Sequence, residues 1–80
     1  MEATSVIAAI GDVRTAAAKH LATQEATPEV VAGLRATAKR YAHQLLANEP
    51  KLARYFARDA LETLLLRVVD EVVAARIQAA

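Results

Sequence analysis

No cysteine occurs in this chain, which excludes disulfides, thiolate metal sites and a cysteine nucleophile. Tryptophan is absent as well, and the three aromatics, Tyr41, Tyr55 and Phe56, all lie between Ala38 and Asp59. Only two Gly and two Pro punctuate the sequence, so few places exist where the chain must turn sharply. The longest stretch without Asp, Glu, Lys or Arg runs from Ala3 to Gly11. That is far short of the roughly 20 apolar residues a membrane span requires. The opening MEATSVIAAIGDVR places an acidic residue where a secretion signal carries positive charge, and its apolar run is short. The expectation is a soluble, cytoplasmic protein that does not contact membrane. Eighty residues make a single domain, 1–80, near the size at which one hydrophobic core only just suffices. With disulfides and thiolate metals excluded, packing and self-association are the remaining sources of support.

What the chain does have is alanine, at 20 of its 80 positions, with nine Leu and eight Val. Alanine loses no side-chain entropy on helix formation, so the composition predicts an all-α protein. A first helix is expected from Thr4 or Ser5 to about Ala22. Val6, Ala9, Ile10, Val13, Ala17, His20 and Leu21 fall within one arc of it. Gly11 in mid-helix implies tolerance or close helix approach. In TPEVV, Thr27 can cap with its hydroxyl, Pro28 suits the first helical position and Glu29 meets the positive end of the dipole. The second helix therefore starts at Pro28, buries Val30, Val31, Leu34, Ala38, Tyr41 and Leu45, and stops near Asn48, where NEP supplies a terminator.

Beyond Pro50 the pattern changes. Leu52, Phe56 and Ala60 mark one apolar side, whereas from Leu61 the apolar centre moves about 160° round the same axis. A straight helix would point these stripes in opposite directions. DALE offers a remedy, with Asp59 as cap and Glu62 reaching back as in a capping box. The reading is a break near Arg58–Asp59, giving a short third helix over 50–58 and a long fourth over 60–78. The alternative is one unbroken helix, and hence three in all. In the last helix the apolar residues from Leu61 to Ile77 spread over roughly 200°, about twice a single core face. A second copy of the chain would cover the surplus, with Leu66, Val69, Val73 and Ile77 as the seam. Otherwise this helix is the central one of a monomer.

Charge is patterned along the chain. Residues 35–58 carry net +5, from Arg35, Lys39, Arg40, Lys51, Arg54 and Arg58 against Glu49, while the flanking segments each carry −2. Arg35, Lys39, Arg40 and His43 lie away from the apolar stripe of the second helix. Lys51, Arg54 and Arg58 lie opposite Leu52 and Phe56, and Tyr55 stands to one side. Such a basic hairpin suits an acidic or mixed protein surface, or the phosphates of a nucleic acid. It is also what a solvated face looks like, because cations near a helix C-terminus favour its dipole.

Catalytic signals are missing. His20 and His43 stand alone on separate helices, without Glu-x-x-His or His-x-x-x-His spacing, so no metal and no cofactor is expected. Gly-rich phosphate loops, nucleophile elbows and recognisable DNA-reading motifs do not occur. A small apolar ligand between helices ranks third among binding readings, since alanine-rich cores leave little void. LLANEPKLARYFARDAL, residues 45–61, resembles ligand-domain helices of TetR-type repressors, without a DNA-binding head. The expectation is a small antiparallel helical bundle, homodimeric through its last helix. It would act as a non-enzymatic interaction or regulatory module, with nucleic-acid binding as the alternative.

Overall fold

Two punctuation marks in the sequence divide the chain, and the computed structural model, which describes the backbone of residues 2–79 and the side chains of residues 5–78, shows what each does. Helix α1 spans Glu2–Thr23, α2 spans Pro28–Asn48, a 3-10 turn occupies Pro50–Arg54, and α3 spans Arg58–Ala79. At the first mark Thr27 is extended (φ −73°, ψ 161°), and the Val30 N–H donates to its hydroxyl at 3.3 Å. Pro28 then opens α2 at the position where its missing N–H costs nothing.

At the second mark the outcome differs in detail from expectation. The Glu49 N–H donates to the Leu45 carbonyl and closes α2, and Pro50 starts a turn tightened by Leu52 N–H to Glu49 C=O at 3.0 Å. The Leu52 carbonyl accepts from both Tyr55 and Phe56, which ends the turn, and the Leu61 N–H to Ala57 C=O bond begins α3. The expected short third helix is thus a 3-10 turn, and the break falls at residues 55–57 rather than at Arg58–Asp59. The described residues form three α-helices. Asp59 stands in the first turn of α3 and Glu62 pairs with His43 instead of completing a capping box. Burial explains the early break. Leu52 is fully buried while Ala60 is exposed, so the chain must reverse its apolar side before α3 begins.

Cross-helix bonds give the directions. Ser5 Oγ donates to Glu49 at 2.7 Å and Tyr41 Oη to Asp12 at 2.8 Å, so α1 and α2 are antiparallel. Arg35 pairs with Asp70 and His43 with Glu62, so α2 and α3 are antiparallel. Arg14 meets Glu71, and Arg76 Nε donates to the Leu21 carbonyl at 3.1 Å, so α1 and α3 run parallel. That last bond satisfies a carbonyl in the final turn of α1 with a cation, which the helix dipole also favours.

The core runs along α3. Leu61, Leu65, Val68, Val69 and Val73 are buried between Val6, Ala9, Val13 and Leu21 of α1 and Ala38 and Ala42 of α2. Helix α3 packs extensively on both neighbours, whereas α1 and α2 touch each other little. The wide apolar arc of the last helix is therefore covered largely by its own chain. Val69 is 1% exposed and Val73 9%, so neither is available for the seam expected of them; Leu66 is half-buried and Ile77 remains 60% exposed. His20, expected on the apolar arc of α1, is exposed near its end.

Neither glycine is required by packing, since a Cβ at Gly11 or Gly33 would meet nothing within 4 Å. Gly33→Ala should accordingly raise the unfolding free energy by about 0.5–1 kcal/mol. Leu65→Ala should lower it by roughly 2–5 kcal/mol. Urea titration followed by circular dichroism measures both; a neutral Leu65→Ala would contradict the assigned core.

Candidate interaction surface

The eight residues expected to form one basic face divide into two groups. On the flank of α2 that faces α3, Arg35 pairs with Asp70 and His43 with Glu62. These pairs share one antiparallel register, and it places Lys39, one turn from each, level with Leu66. The half-buried Leu66 belongs to this α2–α3 seam within the chain. Lys39 is suited to lay its methylene stem along such a surface with the ammonium in water. The Arg35 guanidinium is held more firmly protonated than usual, first by its hydrogen bond to Asp70 and then by that carboxylate's charge. Both partners are about half exposed, so the pair contributes at most a few tenths of a kcal/mol to stability. Its effect is to neutralise Arg35 as a docking group. Arg40 stands on the outer side of α2 and is exposed.

The second group surrounds the connection between α2 and α3. Lys51, Arg54, Tyr55 and Arg58 are all exposed there, Tyr55 by 67%. None of these cations forms an ion pair among the described residues. Beside them lies an open hollow of about 400 Å³ whose walls include Leu46, Ala47, Ala53, Phe56 and Ala57, with His43 and Arg58 at its edge; Lys51, Arg54 and Tyr55 do not line it. Dipole stabilisation does not account for Arg58, although Lys51 and Arg54 lie in the last turn of the 3-10 segment, where cations are favoured. The last turn of α2 holds no basic residue, and Arg58 opens α3, where the positive end of the dipole opposes a cation. Ala32 and Ala36 on α2 are exposed, while Leu46 is half-buried.

Acidic partners of the basic residues were the part hidden from sequence reasoning. Asp70 meets Arg35, and Glu71 meets Arg14 at 3.4 Å. Opposite charge on facing helices was the available signal, and it becomes usable only once the start of α3 is known. No group of three or more His, Asp or Glu able to hold a metal ion occurs among the described residues. No buried side-chain polar atom there lacks a partner. No helix there is long and apolar enough to cross a membrane. No family model, curated protein or solved structure matches the chain.

A narrow cleft of about 70 Å³ between α1 and α2, floored by Val69, is bridged at its edge by Tyr41 and Asp12. The Tyr41 phenol is raised above its ordinary value, first because its proton is donated to Asp12, then by burial and by the carboxylate's charge. A raised folded value means this contribution is complete below the unfolded phenol value of about 10 and drains away as pH rises through the folded one. In a Tyr55→Phe background, phenolate absorbance should place the Tyr41 midpoint above that of the urea-unfolded chain. Asp12→Asn should bring it down. Coincident folded and unfolded midpoints would remove the interaction from the account.

Proposed function

We propose that this chain is a non-enzymatic interaction module whose basic end docks an acidic segment of a partner protein. The observation that carries the reading is the group Lys51, Arg54, Tyr55 and Arg58, exposed round the α2–α3 connection with its cations unpaired among the described residues, next to a partly apolar hollow that Arg58 lines. Helix stability gives no reason for a cation at the start of α3, so an external anion is the simplest counterpart for Arg58. The aliphatic and aromatic walls favour a partner that brings apolar groups together with its carboxylates, which free phosphate or a nucleic-acid backbone does not. Lys39 and Arg40 extend the positive field along α2 and would speed encounter. Arg35 and His43, already facing carboxylates, contribute less. Self-association belongs to the same reading, on a face other than the line from Leu66 to Ile77.

The test compares two labelled probes, an amphipathic helical peptide bearing Glu and Leu, and duplex DNA, each at low and raised salt. The peptide should bind with a shallow salt dependence and lose about tenfold in affinity with Arg54→Ala or Tyr55→Ala. Arg35→Ala should change little. Tighter binding of DNA, with affinity falling steeply as salt rises, would transfer the basic end to nucleic acid. Failure of the peptide to bind at either salt would reject the proposal.

A further inference from the structure

Each pair of helices presents an outer face, and the three faces differ in chemistry. The α2–α3 face carries the Arg35–Asp70 and His43–Glu62 pairs, and the α1–α2 face is crossed by the Tyr41–Asp12 bond. The α1–α3 face carries a groove of about 440 Å³ lined chiefly by Ala18, Ala22, Val72 and Ala75, with Arg14, Arg76 and Glu71 on its rims. One heptad before Arg14 on α1 stands Ile7, 68% exposed, and one heptad before Glu71 on α3 stands Leu64. The parallel register set by Arg14 and Glu71 brings these two apolar residues level with each other. Ile7, two turns before Arg14, is the most exposed large apolar side chain among the described residues.

We propose that the α1–α3 face, centred on Ile7, Leu64 and the alanine groove, docks a second copy of this chain. Three observations select that occupant. First, the chain exposes 5322 Å². A folded monomer of 8.6 kDa is expected to expose about 4,700 Å², so the surplus is roughly 600 Å². A surplus of that size approaches the roughly 800 Å² each partner contributes to a stable interface. Second, the groove has Arg14, Arg76 and Glu71 on its rims, and Arg14 and Glu71 are both about half exposed and only loosely joined at 3.4 Å. A two-fold axis running parallel to the helices would set each Arg14 against the second copy's Glu71. Third, the basic end, with Lys51, Arg54 and Arg58, would repel its own image more strongly than this face, whose rims set Glu71 against Arg14 and Arg76. Occupation here also differs from the seam first expected, because Ile7 and Leu64 replace Val69 and Val73.

Sedimentation of the full chain over a dilution series from about 1 mM to about 1 μM should show mass passing from two copies to one. Ile7→Glu should raise the dimer dissociation constant at least about tenfold while leaving helicity and thermal midpoint nearly unchanged. Ala18→Gln, which puts neutral bulk into the groove, should weaken the dimer similarly and guards against an Ile7→Glu variant that folds poorly. Ile77→Glu, on the opposite flank of α3, should leave the dimer intact. A single-copy mass throughout the series overturns the proposal, as does a dimer indifferent to both Ile7→Glu and Ala18→Gln. These substitutions leave Lys51, Arg54 and Arg58 in place, so failure here would not touch peptide docking at the basic end.

Discussion

Burial of one face of α3 between two helices that hardly meet is the constraint on which the rest of this structure depends. Leu61, Leu65, Val68, Val69 and Val73 supply the surface against which α1 and α2 both pack. Each leucine so buried contributes about 1.5–3 kcal/mol, on the scale of the whole stability of a domain this small. The polar bonds between α1 and α2, from Ser5 to Glu49 and from Tyr41 to Asp12, lie toward the surface and cannot replace that apolar contact. The α1–α2 hairpin therefore has little to hold it together without α3. This also explains why a chain with three aromatics and 20 alanines can fold: small side chains at Ala9, Ala17, Ala38 and Ala42 let the outer helices approach α3 closely.

The same packing decides which charges are available. Once α2 and α3 lie antiparallel, Arg35 and His43 fall beside carboxylates on α3, and the long basic segment is reduced to its end around the 3-10 turn. Pro50 and buried Leu52 fix the turn, and their position leaves Lys51, Arg54 and Tyr55 pointing away from the core. The proposed docking end and the proposed self-association face thus occupy different parts of the bundle. One is cationic with an exposed tyrosine, the other largely apolar with Arg14, Arg76 and Glu71 on its rims. A module that pairs through one face could present two basic ends to a partner, which would strengthen weak docking by effective concentration.

Much of this fold is legible in local chemistry. Thr27 followed by Pro28 marks the start of α2, Asn48 its end, and the 160° shift in apolar direction after Phe56 requires a break. What stayed hidden depends on contacts distant in sequence. Leu52 is buried by elements that become its neighbours only after folding, and that burial moves the break ahead of Asp59. Glu62 resembles the second half of a capping box because local spacing cannot reveal His43 across the bundle. The greatest difference concerns Val69 and Val73. A 200° apolar arc does not say whether the second cover is another copy or another helix of the same chain, and parallel packing of α1 supplies the latter. Of the candidate site, Lys51, Arg54, Tyr55 and Arg58 were identifiable from charge and aromatic placement. The pairing that silences Arg35 and His43 was not, because it depends on inter-helix register.

Amide hydrogen exchange on the full chain, diluted until sedimentation shows single copies, tests the role of α3 most directly. The account predicts that amides from Leu65 to Val73 exchange among the slowest in the molecule, with a free energy equal to that of global unfolding. Rapid exchange through α3 in that dilute state, while α1 and α2 stay protected, would contradict it.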